Sequence, residues 1–158
     1  MWRRMKITDL KKVYDISLAQ WGSDNYESID IFEAKLKKFP EGCFVYELNN
    51  KIQGYVFSHP WNSKIIPILN QRLPDIDPLI YDSYFIHDIV LIPEIRGMGI
   101  ASRILYTLIH NKTTYIVAPL PTQHYWKRHF QFKKTNIKYE YGVYMVREPF
   151  ENEMTMVI

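Results

Sequence analysis

The chain has 158 residues, 47% apolar and 23% charged, with a formal net charge of +3; this suits one globular domain with a sizeable core and fits an anionic ligand without demanding nucleic acid. A single cysteine, Cys43, excludes an internal disulfide framework and cannot by itself make a metal site. No apolar run approaches the roughly 20 residues of a membrane span, and the basic start Met1-Trp2-Arg3-Arg4-Met5-Lys6 leads into no signal-peptide core, so a soluble cytoplasmic protein is expected.

In chain order, Ile7 ends a short first strand. Thr8 is then placed to cap a helix whose Leu10, Val13, Tyr14, Leu18 and Trp21 share one face, with Gly22 in the C′ position. Ser28 is placed to cap a second helix with Ile29, Phe32 and Leu36 facing inward. Lys35, Lys37 and Lys38 suit its C-terminal turn, and Pro40 stops it. A hairpin follows: Cys43–Leu48, a turn at Asn49-Asn50, then Ile52–Ser58. Residues 59–82 carry Pro60, Pro67, Pro74 and Pro78 among Trp61, Ile65, Ile66, Ile68 and Leu69. That is long for a plain loop. A packed surface excursion and a substrate-side flap are equally compatible with it.

Tyr84–Ile92 is nearly continuous in apolar character, as in a strand buried on both faces. Ile100, Ile104, Leu105, Leu108 and Ile109 trace one face of a helix, and Thr113–Ala118 reads as a β-branched strand. Pro119-Leu120-Pro121 turns the chain, Thr122 caps a helix through His129, and Phe130–Ile137 and Tyr141–Arg147 close as strands. The order β, α, α, β-hairpin, β, α, β, α, ββ predicts a single α/β domain over 1–158: a mixed sheet with helices on both faces.

Between strand and helix, Pro93-Glu94-Ile95-Arg96-Gly97-Met98-Gly99 sets two glycines one residue apart. Such a turn brings backbone N–H groups close to an anion, and the helix start adds unpaired donors and a positive dipole end. A dinucleotide fold needs a third glycine where Ser102 stands, and a P-loop needs a lysine that is missing.

The element order, the hairpin with Gly54, and above all Ile89-Val90-Leu91-Ile92-Pro93-Glu94-Ile95-Arg96-Gly97-Met98-Gly99-Ile100-Ala101 resemble the GNAT superfamily of acetyl-CoA-dependent N-acyltransferases. The family signature Gln/Arg-x-x-Gly-x-Gly/Ala becomes Glu94-Ile95-Arg96-Gly97-Met98-Gly99, departing at Glu94. The resemblance implies a central sheet whose middle strands, Tyr84–Ile92 and Thr113–Ala118, splay apart. It implies acetyl-CoA as cosubstrate, its pyrophosphate on the N–H groups of Gly97, Met98, Gly99, Ile100, Ala101 and Ser102. Arg96 would add a charged contact, and the pantetheine arm would lie along Ile89, Val90 and Leu91. Transfer of acetyl to a primary amine by direct attack follows, with a backbone amide of Ile89–Leu91 on the oxyanion and neither metal nor covalent intermediate required.

An ammonium with a pKa near ~10 must lose a proton first. His87 and Asp88 are the base candidates, placed on opposite faces by strand alternation. His87 titrates nearest neutrality, and arylalkylamine acetyltransferases of the superfamily carry a matching histidine. The structural reading is a histidine hydrogen-bonded inside the sheet. For Asp88 the readings are pairing with backbone or lysine, and recognition of a cationic amine. The family's general-acid tyrosine aligns with Trp126, which cannot serve, so Tyr125 is named as donor, with water or His124 as alternatives. Gln131 replaces the family's glycine, and Pro119 stands near its asparagine. Trp61 either stacks on substrate or anchors the loop. Asp75, Asp77 and Asp82 either attract an amine or are solvated. Lys127, Arg128, Lys133, Lys134 and Lys138 either hold a 3′-phosphate or form a solvated face. The expected partner is a small-molecule or peptide amine, without nucleic acid or membrane, in a monomer or homodimer. The rival reading is a CoA-binding sensor or interaction module without turnover.

Overall fold

The computed structural model describes residues 1–109, 111–140 and 142–149. Seven strands form one sheet: β1 Trp2–Arg4, β2 Cys43–Leu48, β3 Lys51–Trp61, β4 Ser83–Leu91, β5 Thr114–Ala118, β6 Lys133–Tyr139 and β7 Gly142–Arg147. They lie in the order β1-β2-β3-β4-β5-β7-β6. Only β4 and β5 are parallel. Helices α1 Leu10–Trp21 and α2 Ile29–Lys38 cover one face, and α3 Ile100–Ile109 and α4 Gln123–Phe130 the other. The mixed α/β sheet read from the sequence is the one observed.

Each face has its own core. Val13, Ile16, Phe32 and Leu36 pack on Val45, Tyr55, Phe57 and Val90. Ile104, Leu105, Leu108, Trp126 and Phe130 pack on Val56, Ile86, Ile116 and Met145. Burying each such aliphatic or aromatic side chain contributes about 1.5–3 kcal/mol. Hairpin β2–β3 turns through Asn49 and Asn50 at φ 53° and 59°, the left-handed pair a two-residue loop requires. Among the described residues no helix is long and apolar enough to cross a membrane.

Helix entries differ from the sequence reading. A 3₁₀ turn, Ile7–Asp9, precedes α1 and contains Thr8, so Thr8 caps nothing. Asp9 organises that entry by accepting from the Lys6 N–H at 2.8 Å and from Arg3 at 2.7 Å. Neither Ser28 nor Thr122 caps with its side chain: Ser28 Oγ donates to Asp30, and Thr122 Oγ1 to the Pro119 carbonyl. Leu18 and Ile29 are exposed, and Ile16 and Ile31 take the inward places. β3 runs on to Trp61, and α4 extends to Phe130, with Gln131 left-handed at φ 58° in the glycine's place. Tyr141, read as the start of the last strand, lies outside the described residues.

Two features of β4 position everything that follows. First, its pairing with β5 covers only Tyr84↔Thr114, Phe85↔Tyr115 and Ile86↔Ile116. Beyond that fork the strands part, as the family resemblance implied. Second, Phe57 faces Asp88 while Ser58 faces Ile86, so His87 is an extra residue: a β-bulge.

The segment between β3 and β4 is packed against the sheet and also borders the cleft. Trp61 is 1% exposed and donates its indole N–H to the Ile65 carbonyl at 2.7 Å, so it anchors the loop. Leu73, Phe85 and Tyr144 complete that small core. Asp82 accepts from the Ser63 N–H and hydroxyl at 2.7 Å, Asp77 from the Leu79 N–H at 2.9 Å, and Asp75 pairs with Lys38 at 2.7 Å. All three acids fasten the loop. Its Pro67 and Leu69 nevertheless reach the cleft opened by the fork.

Candidate active site

The parted strands open a cleft of about 1160 Å³ bounded by β4, β5, the glycine turn, the start of α4 and the loop of residues 62–82. His87, Asp88 and Tyr125 line it, and so do Ile89, Val90, Leu91, Arg96, Gly97, Gly99, Ile100, Ala101 and Ser102. Met98 does not: it is 64% exposed and turns outward between the glycines.

Gly97 and Gly99 hold φ of 77° and 72°, conformations L side chains rarely adopt, and an added Cβ at either would meet nothing within 4 Å. The turn is thus bare backbone facing open space, directly ahead of the unpaired N–H groups of α3. The Trp2 indole N–H grips the Ile100 carbonyl at 2.9 Å, holding that helix start against β1. These residues fit a diphosphate. Arg96 is employed differently from the sequence expectation. Its Nε donates to the Leu91 carbonyl at 2.8 Å and its Nη2 to Gln20 at 2.5 Å, bracing the turn on β4 and α1. Arg96→Ala is therefore expected to loosen the turn and raise the CoA Kd severalfold, short of the tenfold expected for a direct ion pair. Calorimetry checks this.

The bulge sets which backbone groups the cleft sees. Tyr84 N–H points to β5, bonding the Thr113 carbonyl at 2.9 Å, whereas Ile92 N–H points to β3, bonding the Gln53 carbonyl at 2.9 Å. The extra residue shifts the alternation between them. Ile89 and Leu91 consequently turn their main-chain groups to the open edge.

The same bulge overturns the expected opposition of His87 and Asp88. Both side chains lie on the α1/α2 face, two neighbours where regular pleating allows one. Their surroundings differ sharply. His87 Nε2 lies within hydrogen-bond reach of Lys35 Nζ and 3.3 Å from Glu27 Oε1. Lys35 is 2% exposed and pairs with both Glu27 oxygens, at 2.6 and 2.5 Å. Burial raises Glu27, but His87 and Lys35 outweigh it and hold its carboxyl below the usual range. Burial, then the Lys35 charge, pushes His87 below its ordinary value. Nε2 accepts from Lys35 in one neutral tautomer and donates to Glu27 in the other, while Nδ1 is buried without a partner. In neither tautomer does Nε2 offer a substrate proton a free lone pair, and Nδ1 is buried.

Asp88 has one. Tyr55 Oη and Trp21 Nε1, the latter at 3.3 Å, both donate to Oδ2, and Oδ1 accepts from neither. Burial pushes this carboxyl up to about 6, and the Glu27 charge reinforces the rise against the Tyr55 hydrogen bond. No lysine bonds to it, contrary to one of the sequence readings. Tyr125 faces the cleft from α4, its phenol raised by burial and lowered by the Ser102 hydroxyl beside it. Trp126 is 7% exposed and sits in the core. Lys127, Lys133 and Lys134 surround a separate shallow hollow, and none of the five basic residues lines the cleft.

Sequence reasoning missed Glu27, Lys35, Trp21 and Tyr55 as parts of this site. One signal was present: Lys35 follows Phe32 by three residues, so a lysine sits on the buried stripe of α2.

The model of the acetyltransferase (GNAT) family matches residues 10–115. Among solved structures, the chain is similar to PH1933 from Pyrococcus horikoshii OT3, at TM-score 0.71 and 20% identity over 95% of this chain and 98% of that one. It is similar to Ard1 from Thermoplasma volcanium, at TM-score 0.69 and 16% identity over 96% and 98% of the two chains. It is also similar to the diaminobutyrate acetyltransferase EctA from Paenibacillus lautus, solved with L-2,4-diaminobutyric acid and coenzyme A, at TM-score 0.67 and 16% identity over 94% of each chain. Among curated protein sequences none matches.

Proposed function

This chain belongs to the GNAT acetyltransferase family, and from that premise we propose that it moves an acetyl group from acetyl-CoA to a primary amine by direct attack, with Asp88 as the group that receives the amine. The observation that carries this reading is Asp88 itself: a carboxylate on the cleft wall, one oxygen free of protein donors, no cation bonded to it, directly before Ile89 on the open strand edge.

Acetyl-CoA would supply the activated thioester, with the Gly97–Ser102 backbone taking the diphosphate and the β4 edge the pantetheine arm. Asp88 attracts the ammonium by charge and takes a proton from it through Oδ1, which frees the nitrogen lone pair to attack the thioester carbonyl; the C–N bond forms as the C–S bond breaks and the thiolate leaves. A carboxyl near 6 is ionised at pH 7 yet more basic than an ordinary aspartate. The Ile89 amide on the open edge is placed to meet the developing oxyanion. Tyr125, its phenol above the ordinary value and so protonated at neutral pH, is the hydroxyl available to the departing thiolate. Neutral His87, fixed by Lys35, shapes the amine pocket and leaves the proton to Asp88.

The test is thiol release from acetyl-CoA across an amine panel, with CoA binding measured separately by calorimetry. Release that depends on an amine supports transfer. CoA binding with no release on any amine leaves a sensor or interaction module. Absence of CoA binding removes both readings.

A further inference from the structure

We propose that Glu27 is a positioning residue, fastening the 62–82 loop over the amine end of the cleft and holding the Lys35 ammonium away from Asp88. The inference rests on the amine-transferase reading for its kinetics but not for its structural half.

Three elements converge on this one carboxylate. Lys35 from α2 reaches both oxygens at 2.6 and 2.5 Å. His87, the bulge residue of β4, stands 3.3 Å from Oε1. The Asn70 N–H, from the loop, donates to the same Oε1 at 3.0 Å. Asn70 is itself set for this contact: its φ is 55°, and its side-chain oxygen accepts the Ser28 N–H at 2.9 Å. One residue earlier Leu69 lines the cleft, as do Pro67 and Glu27. The Tyr139 hydroxyl ties the Pro67 carbonyl at 3.0 Å, giving the loop a second mooring from β6. Glu27 is 4% exposed, so the contact with Asn70 is made away from water.

The electrostatic half follows from the groups facing Asp88. Tyr55 from β3 and Trp21 from α1 donate to it, and neither carries charge. Lys35 from α2 attracts its charge and Glu27 opposes it. His87 is neutral, and His59 of β3 is held down to about 3 by burial. The only cation among these groups is engaged by Glu27. Burial pulls Lys35 below the ordinary lysine range and Glu27 opposes that; were Glu27 uncharged, its repulsion of the Asp88 carboxylate would vanish and Asp88 would lose basicity.

Two replacements separate the halves. Glu27→Gln keeps an oxygen for the Asn70 N–H and removes the charge. Amide exchange over residues 66–72 should match the parent protein, while the acid limb of kcat/KM for the amine moves down by about one pH unit. The paired replacement Glu27→Ala with Lys35→Met removes the loop's acceptor and strands neither buried charge. Exchange over that segment should accelerate, and the amine KM should rise about tenfold while the acetyl-CoA KM stays within about twofold. An unmoved acid limb in Glu27→Gln overturns the electrostatic half. Unchanged loop exchange in a double variant that still binds CoA overturns the mooring. If the parent protein transfers nothing to any amine, the transferase reading fails alone, and the exchange comparison still decides whether Glu27 moors the loop.

Discussion

Asp88→Asn is expected to lower kcat/KM for the amine by about 10²–10⁴-fold at neutral pH, the range typical of losing a positioned proton acceptor. The isosteric amide keeps an oxygen for Tyr55 and Trp21, so CoA affinity should hold. The same change should stabilise the fold. Burial lifts the Asp88 carboxyl to about 6 in the folded chain, above the ordinary aspartate value near ~3.9. Between those values the folded state binds more protons than the unfolded one. Stability therefore falls as pH rises through that window, by roughly 2–3 kcal/mol in the limit. The asparagine variant escapes this loss. Its melting temperature should exceed the parent's at pH 7.5, and the two should converge below about pH 4. Equal activity in variant and parent would assign the proton to another group. Equal melting curves across that range would mean that Asp88 has an ordinary affinity for protons. In the parent, kcat/KM should fall below about pH 6 as Asp88 protonates. His87→Ala should lower kcat less than Asp88→Asn does, because His87 Nε2 is already engaged by Lys35 and Glu27.

The second large effect concerns the glycine turn. Replacing Gly97 and Gly99 together by alanine forces two L residues into φ of 77° and 72° or makes the turn rearrange. Each left-handed alanine costs about 1–2 kcal/mol, and any rearranged turn must be restored before a diphosphate can meet its amides. The two added methyls also occupy the open space the backbone now faces. The CoA Kd should rise about 10²-fold or more, measured by calorimetry. A Kd within about threefold of the parent's would show that the diphosphate lies elsewhere.

Most of the architecture was legible because its signals are local. The Asn49-Asn50 hairpin, the stripe of α3 and the glycine turn each follow from a few adjacent residues, and the structure places them where the sequence did. Helix entries were less legible, because Thr8, Ser28 and Thr122 have capping chemistry, but Thr8 lies inside a 3₁₀ turn and the other two serve other partners. The site's chemistry was half legible. His87 and Asp88 stood out as polar residues in an apolar strand. Their shared face did not, because a bulge depends on the partner strand and Ser58-Phe57 carries no mark of it. Likewise Glu27 lies in a polar stretch, and only the fold brings it beside Lys35 and His87, from 8 and 60 residues away along the chain.

The sheet ends on β6, whose residues alternate little and stay mostly exposed. Such an outer strand offers free peptide groups to any passing chain. Lys133, Lys134 and Lys138 stand along it, and its register with β7 is broken between Lys134 and Lys138. Repulsion between like-charged rims and an interrupted ladder both oppose growth of the sheet from one molecule into the next. Three of the five basic residues read as a run in the sequence thus stand where charge opposes edge-to-edge pairing.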